Sequence, residues 1–346
     1  MHIAGRVVGH DQPTYVIAEA GVNHNGDMSL AHRLIDAARQ AGADGVKFQA
    51  FVSEELVTPA TPKAGYQVQT TGDGGQLAML KALELSADQH AELKHHCETV
   101  GITYICTPYD DLSVDMLDRL GVAAYKIAST DTTNTPFLSR LAAKGRPVIL
   151  STGMSTLAEV EEAVTACAAV ADRLLLLHCT SEYPAPPEEA NLRAIATLRA
   201  AFGLPVGFSD HTAGVGLSPT AVAVGACVIE KHFTLDRALK GPDHSASVEP
   251  AELADLVRQI RLIERAMGDG IKRPTAAEIA NKPRMQKSLV LRRATAAGET
   301  ITVANLTCKR PGGGLPPSWL ERVAGRRAAR AIDADHSLTL GDVDWS

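Results

Sequence analysis

The chain has 346 residues, a formal net charge of −6, 45% hydrophobic residues and 21% charged residues. This composition excludes a disordered chain, and the length suits one large α/β domain with a smaller one. No apolar run approaches the ~20 residues that span a bilayer, and the first residues carry no signal-peptide core, so we expect no membrane segment. The six cysteines show no CxxC spacing, which indicates buried thiols and a cytoplasmic protein.

In chain order, residues 1–270 alternate between strand and helix patterns. The helix patterns are clearest at 155–170, where Thr156 and Glu159 form a capping box, and at 249–267, where Pro250 occupies the first turn. Eight strands over this length indicate a (β/α)8 barrel; a doubly wound open sheet is the alternative, but no GxGxxG follows the first strand. The predicted strands are YVIAEA (15–20), GVKFQA (45–50), ITYICT (102–107), AAYKIAS (123–129), PVILST (147–152), RLLLLHC (173–179), PVGFS (205–209) and ACVIEKHF (226–233).

Polar residues stand at or near the end of every predicted strand. Active sites of such barrels form at the carboxyl ends of the strands, so we expect these side chains to converge on one cup. One such residue could cap a helix, but eight strands with the same feature favour a functional site. The residues are Glu19, Lys47, Gln49, Thr107, Lys126, Ser129, Ser151, His178, Thr180, Ser209, His211, Lys231 and His232.

Two histidines, His211 in GFSDHT and His232 in EKHFT, follow neighbouring predicted strands with a helical pattern between them. Parallel strands joined in this way would bring both imidazoles to one end of the barrel. Two imidazoles make a metal site with most coordination positions open, which suits chemistry better than structural support. The alternative is a pair of core histidines with satisfied hydrogen bonds.

After the barrel, residues 271–285 have the composition of a polar linker, and residues 286–346 show short β-like runs, which predicts a small, mostly β domain. Residues 272–346 hold 13 Lys or Arg against 7 Asp or Glu, a net of +6, which leaves −12 on the first 271 residues. No aromatic-rich or helix-turn-helix pattern accompanies this charge, so we expect no nucleic-acid partner. Two interpretations of this basic charge remain. It forms a solvated surface, or it supplies positive charge to an anionic ligand of the first domain.

Nine motifs occur in the order found in sialic acid synthases: IAEAGVNHNGD, DGVKFQA, YKIAST, ILSTGMS, HCTSEYPAP, GFSDHT, EKHFT, GPDHSAS and KRPGGG. The chain resembles this family, which includes the legionaminic and pseudaminic acid synthases and the SpsE proteins. The resemblance implies a barrel followed by a SAF domain, similar to type III antifreeze protein. It also implies condensation of phosphoenolpyruvate with an N-acetylated mannose-type sugar, which gives a nine-carbon 2-keto acid and phosphate.

The resemblance assigns roles to individual residues. His211 and His232 would hold a divalent metal, with Mn²⁺ favoured by mixed nitrogen and oxygen ligands and Mg²⁺ or Co²⁺ as alternatives. The metal would polarise the open-chain aldehyde of the sugar. Lysines suit the two anionic groups of phosphoenolpyruvate, and hydroxyl groups bind phosphate oxygens without adding charge. The implied phosphoenolpyruvate residues are Lys47, Thr107, Lys126, Ser129, Ser151 and Ser209.

Glu19 and Asp131 are the implied acid–base residues, although Asp131 stands where many bacterial members have glutamate. A role for Glu19 in orienting Lys47 is the alternative. The implied sugar contacts are Gln49, Tyr183, Asp243 and Arg310, with Arg310 reaching the barrel of the partner subunit in a domain-swapped homodimer. Ser181 replaces an asparagine of several members, and residues 52–83 are long and polar enough to be a lid.

Two other functions stay open from the sequence. One is another phosphoenolpyruvate-using barrel aldolase, similar to heptulosonate phosphate synthases. The other is a catalytically silent paralogue that binds sugar or phosphate, which the departures at Asp131 and Ser181 would favour. The sequence does not select between N-acetylmannosamine, its 2,4-diacetamido-6-deoxy analogue and other sugars as acceptor.

Overall fold

Eight parallel strands close into a barrel in the computed structural model of the chain, which confirms the (β/α)8 architecture. The structure describes the backbone of residues 1–346 and every side chain except those of Tyr66 and Gln69. The chain divides into two units, Met1–Gly268 and Asp269–Ser346. The barrel strands are β1 (Tyr15–Gly21), β2 (Gly45–Ala50), β3 (Thr103–Pro108), β4 (Tyr125–Ile127), β5 (Val148–Ser151), β6 (Leu174–Cys179), β7 (Val206–Asp210) and β8 (Val228–His232).

Each strand pairs in parallel with the next, and β8 closes the barrel against β1 with His232 opposite Glu19. Every predicted strand is therefore present, within three residues at each end. Strand β4 is the shortest because the chain leaves the sheet after Ile127 and forms a 3₁₀ turn, Ser129–Asp131. Two of the predicted site residues, Ser129 and Asp131, therefore lie in this turn and not in the strand.

One helix covers the outside of the barrel after each strand. The predicted capping box is confirmed at the fifth helix, where Thr156 Oγ1 accepts from the backbone N–H of Glu159 and the Glu159 carboxylate accepts from that of Thr156. Pro250 begins the eighth helix, as predicted. The helices are α1 (Met28–Gln40), α2 (Ala87–Val100), α3 (Asp111–Leu120), α4 (Thr135–Ala142), α5 (Leu157–Ala166), α6 (Ala194–Phe202), α7 (Leu217–Ala223) and α8 (Pro250–Met267).

The predicted lid between β2 and α2 is built of three short helices, Ser53–Leu56, Gly65–Thr71 and Gln76–Lys81. They lie over the first β–α loop, because Leu56, Met79 and Leu80 pack on a small buried cluster of Val22, Phe51 and Leu83. The segment is therefore a partly apolar cover rather than a polar loop.

The opposite, amino end of the barrel is closed by the start of the chain. Two short antiparallel strands, His2–Ile3 and Arg6–Val7, form a hairpin there. Ile3 and Val8 are fully buried in a cluster with strand residues such as Ile17 and Ile149. Apolar packing therefore fills this end and leaves polar strand residues to the carboxyl end.

The second unit has its own core, which includes Leu289, Ile301 and Leu338. It contains helix α9 (Ala276–Met285), strands β9 (Ser288–Leu291) and β10 (Leu306–Lys309), helix α10 (Leu320–Val323), and strands β11 (Arg327–Ala328) and β12 (Val343–Asp344), paired antiparallel as β9–β10 and β11–β12. The segment predicted as a linker thus contains a helix, which begins at a capping box of Thr275 and Glu278 and buries none of its residues.

Five of the six cysteines are buried, Cys308 is half-buried, and all six are free, as expected for reduced thiols. Within the described residues, no helix combines the length and the apolar character that a membrane crossing needs.

Candidate active site

A cavity of about 530 Å³ opens at the carboxyl ends of the barrel strands. Its floor is polar, and the wall contributed by the short helices is mixed, with Leu56, Met79 and Leu80 beside Gln67 and Gln76. Eleven of the residues predicted from the sequence line it together: Glu19, Lys47, Gln49, Lys126, Ser129, Ser151, Tyr183, Ser209, His211, His232 and Asp243.

Five predicted residues of the barrel are absent from this lining: Thr107, Asp131, His178, Thr180 and Lys231. Thr107 is fully buried beneath the floor and accepts a hydrogen bond from Lys47 Nζ over 3.3 Å. Asp131 is buried at the end of the 3₁₀ turn, where Asn134 Nδ2 donates to its Oδ1 over 3.1 Å, and burial raises its pKa. Arg310 belongs to the second unit and is exposed.

Two lysines and two carboxylates form a buried ion network in the cavity floor. Lys47 Nζ lies 3.2 Å from both Glu19 Oε2 and Glu230 Oε2, and Lys126 Nζ lies 3.5 Å from Glu230 Oε1. Lys126 Nζ also donates to Ser151 Oγ over 2.7 Å. Glu230 therefore bridges both ammonium groups, one through each oxygen.

The two carboxylates of this network differ in their preference for a proton. Burial raises the pKa of Glu19, and the nearby Lys47 only partly offsets that effect. Burial also acts on Glu230, but Lys126 and Lys47 together hold its pKa below the usual range. The floor thus combines one permanently charged carboxylate with one that accepts a proton readily.

Glu230 was missed by the sequence analysis, although the pattern of β8 contains the signal. Successive residues of a strand point to opposite faces, so Glu230 and His232 share the inner face and Lys231 cannot. The prediction that Lys231 faces the cup is wrong: it is fully buried outside the cavity and lies 3.2 Å from Asp210 Oδ1. Alternation therefore identifies Glu230 as the site residue of this strand.

The side chains of His178 on β6 and Thr180 in the following loop also bond to groups outside the cavity. His178 Nε2 lies 2.8 Å from the carbonyl oxygen of Ala190, and its ring stacks on Phe208. Thr180 Oγ1 donates to the carbonyl oxygen of Glu189 over 3.1 Å. These side chains fix the β6–α6 connection rather than contribute to the cup.

The rings of the two predicted metal ligands pack edge to face, with centroids 5.4 Å apart. His211 Nδ1 lies 2.6 Å from the Thr180 carbonyl oxygen, which identifies Nδ1 as the protonated nitrogen and leaves Nε2 unprotonated, 3.2 Å from Ser209 Oγ. His232 Nδ1 is buried and has no hydrogen-bond partner among the described residues. Burial lowers the pKa of both rings, so both are neutral, which is the form that binds metals.

This donor set fits a metal that keeps most of its coordination positions for water or substrate. Among the described residues, no group of three or more His, Cys, Asp or Glu side chains is arranged around one metal position. Two neutral imidazoles with an unpartnered buried nitrogen nevertheless supply the minimum of an open site. The ring of Tyr183 packs on both, with centroid distances of 4.3 and 5.4 Å, and fixes their orientation.

The remaining polar groups of the cavity surround this centre. Gln49 Nε2 donates to Glu19 Oε1 over 3.1 Å, and Ser129 Oγ accepts from the backbone N–H of Gly153 over 2.9 Å. Burial raises the pKa of Asp243 to about 6, although Lys47 opposes this shift. Ser181 lines the cavity beside these groups. The site therefore offers cations, hydroxyl groups and two carboxyl groups that titrate near neutrality.

Comparison with known proteins finds matches over most of the chain. The model of the NeuB family matches residues 34–272, and the model of the SAF domain matches residues 286–344. The chain is 48% identical to N,N'-diacetyllegionaminic acid synthase of Campylobacter jejuni over 94% of this chain and 98% of that protein. It is 38% identical to N-acetylneuraminate-9-phosphate synthase of Mus musculus over 98% of this chain and 95% of that protein.

A solved structure shows the same likeness. The crystal structure of N-acetylneuraminic acid (sialic acid) synthetase from Leptospira borgpetersenii serovar Hardjo-bovis, in complex with citrate, superimposes with a TM-score of 0.73. The two chains are 37% identical, and the match covers 81% of this chain and 94% of that one. The relatives and the family models confirm the resemblance that the ordered motifs predicted.

Proposed function

The chain belongs to the NeuB family, and from this premise we propose that it condenses phosphoenolpyruvate with an unphosphorylated N-acetylated sugar of the mannose type, giving a nonulosonic acid and phosphate. The observation that carries the proposal is the cavity floor, where two lysines and two neutral imidazoles meet in one space. Cations for an anionic substrate and open metal ligands for an aldehyde are the two requirements of this reaction.

Phosphoenolpyruvate would bind at the floor, with its anionic groups against Lys47 and Lys126. Both ammonium groups are buried in the cavity lining, where Lys47 donates to Thr107 and Lys126 donates to Ser151. Ser129 and Ser209 add hydroxyl groups that bind phosphate oxygens without further charge. These hydrogen bonds fix the lysines before the substrate binds, which lowers the reorganisation that the site requires.

His211 and His232 are the residues that would hold a divalent metal, for which we propose Mn²⁺, with Mg²⁺ or Co²⁺ as substitutes. Such a metal supplies Lewis-acid polarisation of the aldehyde oxygen of the open-chain sugar. Tyr183 would keep the two imidazoles in place and close the side of the cavity next to them.

Bond formation joins the methylene carbon of phosphoenolpyruvate to the aldehyde carbon of the sugar. The aldehyde oxygen takes a proton, and water adds to the former enol carbon with loss of a proton. The tetrahedral intermediate then expels phosphate by cleavage of its C–O bond. Glu19 is suited to hold the proton for the sugar oxygen, because burial raises its pKa and its carboxyl group faces the cavity.

Asp131 would accept the proton of the attacking water through a water molecule that bridges to it. A bridge is needed because Asp131 is buried behind the cavity lining and its Oδ1 already accepts from Asn134. The shorter side chain, relative to the glutamate of many family members, agrees with such an indirect contact. Burial raises its pKa, which favours proton acceptance.

The acceptor that the cavity favours carries methyl groups and no phosphate. Leu56, Met79 and Leu80 of the short helices suit methyl groups of acetamido and deoxy carbons. The lysines among the described lining residues, Lys47 and Lys126, are both assigned to phosphoenolpyruvate, which leaves neither for a phosphate of the acceptor. The 48% identical relative is named an N,N'-diacetyllegionaminic acid synthase. We therefore propose 2,4-diacetamido-2,4,6-trideoxymannose as the acceptor.

A phosphorylated acceptor is the second candidate. Lys63 and Lys240 border a neighbouring depression that shares Met79, Leu83 and Pro242 with the cavity wall. The 38% identical relative is named an N-acetylneuraminate-9-phosphate synthase. If N-acetylmannosamine 6-phosphate is the preferred acceptor, Lys63→Met and Lys240→Met should each raise its KM without changing that of the unphosphorylated sugar.

One experiment tests the proposed reaction. Purified protein is depleted of metal, reloaded with Mn²⁺, and supplied with phosphoenolpyruvate and each of three acceptors: the diacetamido sugar, N-acetylmannosamine and its 6-phosphate. We expect phosphate release and a nonulosonic acid by mass spectrometry, strongest with the diacetamido sugar, and lost in His211→Ala together with Mn²⁺ binding. Turnover with erythrose 4-phosphate alone would indicate a heptulosonate-type aldolase, and ligand binding without any turnover would indicate a silent paralogue.

We also propose that the protein acts in the cytoplasm as a homodimer in which Arg310 serves the barrel of the partner subunit. The motif KRPGGG supports this by its similarity to the family. A mixture of Arg310→Ala and His211→Ala chains tests it after joint refolding. In each mixed dimer, the barrel of the Arg310→Ala chain keeps His211 and would receive an intact Arg310 from its partner. Activity above that of either variant alone is expected, and its absence at a verified mixed-dimer content would contradict the cross-subunit role.

A further inference from the structure

We propose that Glu230 is a positioning residue for phosphoenolpyruvate, an inference that rests on the proposed function. Its carboxylate holds the ammonium groups of Lys47 and Lys126 next to each other, so that both cations point to one place in the cavity floor. The residue acts through the two lysines and need not touch the reacting atoms.

The geometry of the carboxylate supports this role. Its Oε1 accepts from Ser209 Oγ over 3.0 Å and lies 3.5 Å from Lys126 Nζ, whereas its Oε2 lies 3.2 Å from Lys47 Nζ. The two lysines come from β2 and β4, and Glu230 comes from β8. One side chain therefore connects three strands across the barrel interior.

An acidic group in an anion site needs an explanation, because it repels the substrate that the site binds. Two ammonium groups in a buried space also repel each other, and Lys47 lies close enough to Lys126 to contribute to that repulsion. A single carboxylate between them offsets the repulsion and leaves the cluster with one net positive charge when Glu19 is protonated. The site thus keeps both cations in place before the substrate arrives.

The network is incomplete in a way that points to a ligand. Glu19 Oε2 and Glu230 Oε2 are buried and each lies 3.2 Å from Lys47 Nζ, yet among the described residues neither accepts a hydrogen bond of good geometry. Buried carboxylate oxygens are normally satisfied. Lys47 is therefore shared between two acceptors, and an anion bound in the cavity would be a further acceptor for its N–H groups.

Glu230→Gln tests the inference, because it keeps the shape and places a neutral amide between the two cations. Phosphoenolpyruvate binding is measured by calorimetry without sugar, and KM and kcat are measured for both substrates. We expect the phosphoenolpyruvate Kd and KM to rise by about tenfold to a hundredfold, the range for one lost hydrogen bond to a charged group. The acceptor KM and the bound Mn²⁺ content should stay within about twofold.

Asp210→Asn is the matched control, since Asp210 is also a buried carboxylate paired with a lysine but lies outside the cavity. It should lower the melting temperature and leave the phosphoenolpyruvate Kd of the folded protein unchanged. The double variant Glu230→Gln/Lys126→Met should lose less affinity than the sum of the two single losses, because part of the Glu230 effect acts through Lys126 and the rest acts through Lys47. Glu230→Asp, which keeps the charge, should recover part of the affinity.

The outcomes separate this inference from the proposed function. If the wild-type protein binds no phosphoenolpyruvate, the proposed function fails. If the wild type binds it and Glu230→Gln binds equally well, the positioning role is overturned. A lower melting temperature with unchanged KM would assign Glu230 a structural role, and a lower kcat with unchanged Kd would assign it to the chemistry, so either result also overturns the inference.

Discussion

Two buried ion networks lie on opposite faces of strand β8, and they differ in how completely their atoms are satisfied. On the inner face, Glu230 joins Lys47 and Lys126 in the cavity floor. On the outer face, the next residue, Lys231, pairs with Asp210. Both networks are buried and both place a lysine near a carboxylate, so burial and charge alone do not distinguish a functional site from a structural one.

The two networks differ in whether their carboxylate oxygens accept hydrogen bonds. Asp210 Oδ1 accepts from Thr212 N and Thr212 Oγ1 over 2.9 and 2.6 Å, and its Oδ2 accepts from Ser218 Oγ over 2.6 Å. Glu230 Oε2 and Glu19 Oε2 each lie 3.2 Å from Lys47 Nζ but accept no well-formed hydrogen bond from any described residue. The hydrogen bonds of the outer network are complete without a ligand, whereas the inner network keeps hydrogen-bonding groups that a ligand can use. Incomplete satisfaction is therefore the better marker of the active site.

The largest effect should come from breaking the outer network at one end. Lys231→Met leaves Asp210 as a buried charge without its cation, and such changes cost about 3–5 kcal/mol of stability. Chemical denaturation measures this loss, while the activity per folded molecule should be unchanged. The double variant Lys231→Met/Asp210→Leu should recover most of the stability, and failure to recover any would show that the pair has a further role.

Breaking the inner network should affect activity instead. Lys126→Met removes one of the two phosphoenolpyruvate cations and should lower kcat/KM by about a hundredfold to a thousandfold, the size seen when one electrostatic contact to the reacting group is lost. Its stability loss should be smaller than that of Lys231→Met, because Glu230 keeps its contact to Lys47 and burial already opposes the charged form of Lys126, whose pKa it lowers. A large loss of stability in this variant would remove the distinction between the two networks.

A matched pair of serine variants sharpens the comparison. Ser218→Ala removes a hydrogen bond to Asp210 and should cost about 1.5–3 kcal/mol of stability with no change in KM. Ser209→Ala removes the hydrogen bond to Glu230 and should raise the phosphoenolpyruvate KM by about tenfold with a smaller stability change. Thermal unfolding and steady-state kinetics are measured on both variants. Equal stability losses would contradict the expectation that Ser218 serves stability and Ser209 serves substrate binding.

The smallest effect is expected away from both networks. Ser181→Asn enlarges a residue of the cavity lining and gives the chain the asparagine of several family members. It should change the acceptor KM by no more than about tenfold and leave that of phosphoenolpyruvate unaltered. Competition between N-acetylmannosamine and the diacetamido sugar measures the change. An altered KM for phosphoenolpyruvate would indicate that Ser181 lies in the phosphoenolpyruvate site instead.

The sequence predicted the barrel well because each strand is a continuous apolar run bounded by clear helix signals. Thr156, Glu159 and Pro250 are examples of such signals, and the structure places each where the pattern indicated. The ordered motifs also brought most of the candidate site together. These predictions succeeded because strand order in a parallel barrel fixes which residues share an end.

The failures have local physical causes. The short helices of residues 53–81 lack a side-chain N-cap, since Val52, Ala64 and Gly75 occupy those positions, so their start signals are absent from the sequence. Asp131 was assigned to the site by the resemblance, but it lies in a 3₁₀ turn and outside the cavity lining. Glu230 was overlooked because Lys231 and His232 were taken as the cup residues of the last strand, without applying the alternation of side chains along it.

The hairpin at the start of the chain also bears on the kinetics. Ile3 and Val8 close the amino end of the barrel, so under the proposed function both substrates would exchange through the carboxyl end, where the lysines lie in the floor beneath the short helices. A sugar bound against the short helices would stand between the solvent and the lysines. The proposed function therefore predicts ordered binding, in which phosphoenolpyruvate binds before the acceptor and the nine-carbon acid leaves before the next phosphoenolpyruvate enters.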